Sequence, residues 1–220
     1  MSRGEREQTE MNRFGDIPKW LPRAAGQYTT VMENIKLRVG FIEELDKFKN
    51  EGNWTFIVEA MYLNLRYICE LIASGCLIAH KETILTNNNK LKKAYQADLI
   101  VNALDKLDDK FYPMPYRMKN KDTFEYIEDG FLTKYEIKDL YRKCGGVLHN
   151  NPNGVDYPEL IDNIQIYIEK IKILLSSHHI KVLGSHDYLD IRLNVGGIGA
   201  IEWAFFKLVD APQPPDGKPR

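Results

Sequence analysis

Arg142 and His149 are the two residues whose types and spacing could do chemistry, with six residues between them. If the stretch is helical, seven steps of about 100° bring the two side chains back within roughly 20° of each other, two turns apart on one face. An arginine is always charged and can hold phosphoryl oxygens, whereas a histidine titrates around neutral pH and can move a proton. The pair therefore predicts a site for chemistry on a phosphate group.

The same stretch also fits a purely structural interpretation. Arg142 would then be a solvated surface cation and His149 a helix-terminal residue. Gly145 and Gly146 would form a notch where another helix crosses closely. Residue types and spacing leave both interpretations open.

Helical periodicity before the motif predicts three helices. Apolar residues recur at intervals of three, four and seven over residues 29–50, and Phe41 and Phe48 belong to this apolar pattern. Residues 54–80 are apolar all round, which predicts the central, most buried helix. A third helical pattern covers residues 90–107.

The motif lies on the fourth of five predicted helices. Thr133 and Glu136 form a capping-box pattern, in which the threonine caps the helix and the glutamate reaches back. Pro158 lies in the first turn of a fifth helix, where its missing N–H costs nothing, and this helix runs to about residue 177. The predicted fold class is mainly α, a helical bundle of about five helices with a small C-terminal β meander.

The meander is predicted from alternating polar and apolar residues after the fifth helix, over residues 179–183, 188–193 and 200–206. Pairs of turn residues at 184–185 and 196–197 separate these two or three strands. By contrast, the proline-rich residues 111–116 and the basic residues after them predict a surface loop. The predicted units are a polar arm and lead-in (1–27), the helical domain (28–177), the meander packed on it (178–209) and a proline-rich tail (210–220).

Composition excludes several function classes. A formal net charge of −1 argues against a protein that coats nucleic acid through its overall charge. A polyanion would have to bind at a local patch of basic residues. Three scattered cysteines do not form a disulfide framework and indicate a reducing compartment. The polar first residues and the lack of a long apolar run predict neither a secretory signal nor a membrane span, so we expect a cytoplasmic protein.

Other motifs are weaker. Cys76 and His80 have the spacing of two metal ligands, but no second pair accompanies them, and His178 and His179 are interpreted as hinge and turn residues. We therefore expect no metal and no cofactor. Basic residues interleave with tyrosines in two stretches, a mixture that binds single-stranded RNA or simply forms solvated faces. These tyrosines are Tyr112, Tyr116, Tyr135 and Tyr141.

Residues 29–177 resemble the HEPN superfamily of helical bundles, whose ribonuclease members carry an arginine, four to six residues, and then a histidine. Arg142, six residues, and His149 fit this pattern, with Asn-Asn-Pro directly after the histidine. The long apolar helix that bears Arg66, Glu70 and His80 also agrees with the resemblance. Lys143 departs from it, because active members often have Asn, Asp or His directly after the arginine.

The resemblance implies metal-independent cleavage of RNA, in which the ribose 2′-hydroxyl attacks the adjacent phosphate and leaves a cyclic phosphate. His149 would be the general base or acid, and Arg142 would stabilise the charge on the phosphorane. Asn150 would orient the phosphate or cap the helix end. Further predicted substrate contacts are Tyr141, Lys143 and Glu70.

The resemblance also implies a homodimer in which a second copy completes the site, in a toxin or phage-defence setting. The alternative is a non-catalytic HEPN-like module that binds RNA, a nucleotide or a protein partner such as an antitoxin.

Overall fold

The computed structural model describes residues 19–48, 54–80, 91, 94–120, 123–149, 157–182, 187–193 and 200–207. Five helices lie in these ranges: α1 (Leu21–Asp46), α2 (Trp54–Ala79), α3 (Ala97–Asp105), α4 (Glu136–His149) and α5 (Tyr157–Ser176). Five strands accompany them: β1 (Met114–Met118), β2 (Phe124–Tyr126), β3 (Ser177–Lys181), β4 (Asp187–Arg192) and β5 (Glu202–Lys207). The predicted mainly α class, with a small C-terminal sheet, is confirmed.

Helix α1 begins earlier than the sequence pattern predicts. It starts at Leu21, within the segment predicted to be a lead-in, and Pro22 lies in its first turn. A proline there loses no hydrogen bond, because the first N–H groups of a helix have no partner within it. Leu21, Ala24 and Ala25 are buried, so the additional turns at the start of α1 are part of the core.

Helix α2 is the centre of the bundle, as its all-round apolarity predicts. It packs against α1, α3, α4 and α5, and its predicted bounds agree with the structure to within one residue. Helix α3 is shorter than predicted: it begins at Ala97, because Gln96 already has an extended backbone (φ −72°, ψ 120°).

Strands β1 and β2 contradict the predicted surface loop. They form an antiparallel hairpin in which Tyr116 lies opposite Tyr126, and Met114 and Pro115 of β1 pair with His179 and His178 of β3. Prolines exclude a helix here, but the extended geometry they impose is compatible with a strand. The pairing partner in β3 lies far along the chain, so no local pattern indicated it.

The sheet is antiparallel, with the strand order β2-β1-β3-β4-β5. Strands β3, β4 and β5 are the predicted meander, and the hairpin adds two strands to the other edge of β3. His178 and His179 lie inside β3 and are buried, so their interpretation as hinge and turn residues was wrong. The predicted turns at 184–185 and 196–197 lie outside the described residues.

One face of the sheet packs on the helices. His178 on this face lies 2.8 Å (Nε2) from the Tyr28 hydroxyl of α1 and 3.1 Å (Nδ1) from the carbonyl oxygen of Leu175. A carbonyl oxygen only accepts, so Nδ1 donates to Leu175 and Nε2 accepts from Tyr28. Burial lowers the pKa of His178 to about 4, and the ring stays neutral.

The opposite face carries a polar cluster that links four strands, β1 to β4. The Tyr116 hydroxyl of β1 donates to Asp190 Oδ1 of β4 at 2.5 Å, and Arg192 Nη2 donates to Asp190 Oδ2 at 3.0 Å. His179 of β3 stacks on the Tyr116 ring, with centroids 4.2 Å apart, and lies 3.2 Å (Nδ1) from the Tyr126 hydroxyl. Burial, followed by the charges of His178 and Arg192, lowers the pKa of His179 to about 3.

Candidate functional site

The N-terminus of α4 is fixed by the predicted capping box. The Thr133 backbone N–H donates to Glu136 Oε2 at 3.0 Å, and the Glu136 N–H donates to Thr133 Oγ1 at 3.2 Å. Glu136 also pairs with Lys170 of α5. Burial alone would raise the pKa of Glu136, but hydrogen bonds from Lys170 and Thr133 bring it below its ordinary value. The helix that carries the motif is therefore anchored at its start to α5.

Arg142 and His149 both lie on α4 and are exposed. Seven helical residues separate their positions by about 10.5 Å along the axis and roughly 20° around it, so they share one stripe of the helix. Arg142 Nη1 lies 3.1 Å from Asp139 Oδ1, and both side chains are open to solvent (65% and 71% exposed). A substrate phosphate would therefore compete with Asp139 for the guanidinium.

Tyr141 and Glu70, both predicted to contact substrate, contact each other between α2 and α4. The Tyr141 hydroxyl donates to Glu70 Oε1 at 3.0 Å and accepts from Arg66 Nη2 at 2.6 Å. Arg66 also lies over the Tyr141 ring, 4.1 Å from its centroid. Burial, and then Glu70, raise the pKa of Tyr141 to about 12. This triad holds α4 against α2 and lies beside the Arg142 stripe.

Gly145 gives the triad its space. A Cβ added at Gly145 would lie 2.9 Å from Arg66 Nη1, whereas one at Gly146 would meet nothing within 4 Å. The expected notch therefore exists at Gly145, and it receives a side chain of α2, not a helix backbone. Gly146 lies exposed between Arg142 and His149.

The remaining predicted contacts do not join the stripe. Lys143 points to α5, with its Nζ 5.8 Å from the centroid of the Tyr167 ring. Asn150 lies outside the described residues. Of the predicted site residues, Arg142 and His149 thus share one surface, Tyr141 and Glu70 share an interface, and Lys143 faces a third direction.

A surface that sequence reasoning missed lies on α1, the turn directly after it, and α2, and we call it the apolar face. Phe41 and Phe48 are about half exposed and Phe56 is 74% exposed. An all-round apolar helix can present a second apolar side as well as a core side, and this was the available signal. The apolar face comprises Leu37, Phe41, Phe48, Phe56, Leu63 and Tyr67.

Helix α2, which carries part of the apolar face, contacts both α1 and the helix α4 that carries the Arg142 stripe. Arg38 of α1 donates to Asn64 of α2 at 2.8 Å and lies over the Tyr67 ring, while Arg66 contacts Tyr141 and Gly145 of α4. Helix α2 therefore runs between α1 and α4, antiparallel to both.

The tyrosines among the basic residues separate into two kinds. Tyr112, Tyr116 and Tyr141 are buried, whereas Tyr135 is 61% exposed. Lys134 and Lys138 place their Nζ atoms 5.5 and 5.4 Å from the Tyr135 ring centroid. In the hairpin, the basic side chains Arg117 and Lys119 both pair with Glu125. The mixture of charge and exposed ring is therefore found at Tyr135.

Cys76 and His80 do not form a pair of metal ligands. His80 Nδ1 donates to the Cys76 backbone carbonyl at 2.5 Å. Burial raises the pKa of the Cys76 thiol well above its ordinary value and lowers the pKa of His80. Within the described ranges, no three His, Cys, Asp or Glu side chains converge as metal ligands.

No known protein family, curated protein or solved structure matches this chain. None of the helices in the described parts of the chain is long and apolar enough to cross a membrane.

Proposed function

We propose that this chain is a HEPN-like, metal-independent endoribonuclease whose site forms at Arg142 and His149 of two copies. The observation that supports it is the exposed stripe of α4 that carries both residues. Arginine is suited to the phosphate and histidine to proton transfer.

The reaction defines what the two residues would do. The ribose 2′-oxygen attacks phosphorus, the bond to the 5′-oxygen breaks, and the products are a 2′,3′-cyclic phosphate and a 5′-hydroxyl. A base removes the 2′-hydroxyl proton and an acid delivers a proton to the leaving 5′-oxygen, while Arg142 balances the charge of the phosphorane. One histidine of the motif per chain supplies one of these groups, so His149 of a second copy supplies the other.

The apolar face is the surface on which the second copy would dock. Six partly exposed side chains of this size present on the order of 500 Å² of apolar surface, a large part of the roughly 800 Å² that each partner buries in a stable complex. The largest apolar patch on a monomer is about 300–600 Å² and is often functional, so a patch of this size is a candidate interaction site. The nuclease proposal requires that docking there brings the two Arg142 stripes together at the interface.

Cleavage of a fluorescent single-stranded RNA in EDTA tests the proposal. His149→Ala and Arg142→Ala should each lower the rate by about 100-fold or more, because one removes proton transfer and the other charge stabilisation. Arg23→Ala, a change of another exposed arginine, is the control and should leave the rate unchanged. Equal rates for the wild type and His149→Ala, or no cleavage by the wild type, would overturn the nuclease proposal.

Phe56→Glu tests the dimer separately. A carboxylate at the most exposed position of the apolar face should give a folded monomer by light scattering and should abolish cleavage. A Phe56→Glu protein that is still a dimer would place the interface elsewhere.

A second candidate function is a non-catalytic module that binds a protein partner, and the ion pair between Arg142 and Asp139 favours it. It predicts a stable complex through the apolar face with no cleavage of RNA. In either form, a toxin or phage-defence role would appear as growth arrest on expression, relieved by an antitoxin.

The buried free thiols Cys69, Cys76 and Cys144 fit our proposal of a cytoplasmic protein.

A further inference from the structure

The stripe of Arg142 and His149 continues towards the start of α4. Tyr135 lies seven residues before Arg142, so Tyr135, Arg142 and His149 follow one another at equal intervals along the exposed side. At 1.5 Å per residue, the Tyr135 and His149 positions are about 21 Å apart. The stripe is long enough to contact several nucleotides of one strand.

Tyr135 is held on a rigid base. It lies in the turn directly before α4, between Thr133 and Glu136 of the capping box, and the Ile137 N–H bonds to the Thr133 carbonyl at 3.0 Å. A fixed backbone lowers the entropy lost when a ligand orders an exposed ring.

Two lysines flank the ring and are themselves anchored. Lys134 Nζ donates to Asp105 Oδ1 at 2.6 Å and to the Asp109 carbonyl at 3.0 Å, and Lys138 Nζ donates to Asn102 Oδ1 at 3.1 Å. Residues at i and i+4 lie on the same side of a helix, so both ammonium groups approach the ring from the side of α3. Cations over a ring stabilise it through its π-electrons, and the Tyr135 side chain remains 61% exposed.

Opposite charges flank the stripe. Around the helix axis, Lys138 lies on one side of the line from Tyr135 to His149 and Asp139 lies on the other. A phosphate backbone is attracted by Lys138 and repelled by Asp139. A strand that reaches His149 would therefore follow the Lys138 side.

We propose that Tyr135 is a base-stacking subsite for single-stranded RNA, with Lys138 beside it for a phosphate and the scissile phosphate two to four helical turns away at Arg142 and His149. The position of the scissile phosphate rests on the proposed nuclease function. Stacking on an exposed tyrosine requires an unpaired base, because the faces of paired bases are covered within a duplex. The subsite therefore selects single strands.

Fluorescence anisotropy with a labelled 12-nucleotide single-stranded RNA tests the subsite, with His149→Ala as the parent protein so that the RNA stays intact. Adding Tyr135→Ala should weaken binding about 5- to 140-fold, because base stacking on an aromatic side chain contributes about 1–3 kcal/mol. Tyr135→Phe keeps the ring and should recover most of this loss. Tyr95→Ala, a change of another exposed tyrosine, is the matched control.

The possible outcomes test the Tyr135 subsite and the proposed nuclease activity separately. The wild type could cleave RNA while Tyr135→Ala binds and cleaves as well as the wild type does. In that case Tyr135 is not a subsite, and the nuclease proposal is unaffected. If binding depends on Tyr135 and no cleavage occurs, the subsite stands and the nuclease is wrong. If the parent protein binds no RNA, or binds a duplex of the same sequence with equal dependence on Tyr135, the inference is overturned.

Discussion

Gly145 and Gly146 are neighbours in the chain with opposite surroundings. At Gly145 the missing Cβ makes room for the Arg66 guanidinium, and at Gly146 the space is empty. Both lie in a helix, where alanine is favoured over glycine by about 0.5–1 kcal/mol. The effect of the same substitution should therefore differ between the two sites.

We expect Gly146→Ala to raise the free energy of unfolding by about 0.5–1 kcal/mol. Gly145→Ala gains the same helix propensity but forces Arg66 away from Tyr141, whose hydrogen bond contributes about 1 kcal/mol. Gly146→Ala should thus be the more stable variant by about 1–2 kcal/mol in urea unfolding. Equal stabilities would show that Arg66 moves at no cost.

At the residue scale, the sequence predicted that Arg142 and His149 share one side of a helix, but it did not predict which residues of other helices lie beside them. The spacing of Arg142 and His149 fixes their common side as soon as the segment is a helix. The separation of Tyr141 and Glu70 from that stripe depends on how α2 crosses α4, and no spacing within one helix encodes it. The exposure of Phe41 and Phe48 was missed for the same reason, since an apolar pattern does not tell a core side from a docking side.

At the scale of the elements, the capping box holds the N-terminus of α4. Thr133 and Glu136 satisfy each other's backbone N–H groups, and Glu136 extends the link to α5 through Lys170. The cap is encoded by two residues three positions apart, and this is why the sequence predicted it. Strands β1 and β2 were missed because their support comes from β3, more than sixty residues later in the chain.

We expect Thr133→Ala to lower the free energy of unfolding by about 1 kcal/mol, the usual cost of losing an N-cap hydroxyl. Thr29→Ala makes the same change inside α1, where the hydroxyl bonds only the Gly26 carbonyl of its own helix. That control should be neutral or slightly stabilising, because alanine is the better helix former. Equal losses in urea unfolding of the two variants would argue against a special role for the cap.

The stability of the whole molecule depends on pH through its buried histidines, His80, His178 and His179, whose pKa values burial lowers. The pKa of His178 is about 4 and that of His179 about 3, both below the ordinary histidine value. Below about pH 6.5 the unfolded chain binds protons that the folded chain does not. Stability from this source is complete above that pH and falls as the pH drops towards 4.

Urea unfolding at several pH values between 6 and 4.5 measures this effect. Each histidine that takes up a proton on unfolding should lower the free energy of unfolding by about 1.4 kcal/mol per pH unit. His179→Gln should reduce the slope by about one proton relative to the wild type, whatever its effect on stability at pH 7. Equal slopes for the two proteins would mean that His179 is protonated in the folded state.

The join between β1 and β3 has a consequence for how the molecule opens. The sheet consists of a hairpin and a meander, each closed by short-range pairing, and these meet at only two residue pairs, Met114 with His179 and Pro115 with His178. Proline has no N–H to donate there, so side chains carry much of the join, through the stack of His179 on Tyr116 and the bond from Tyr116 to Asp190. Amide hydrogens of the hairpin should then exchange together in one local opening while the helices and the meander stay protected.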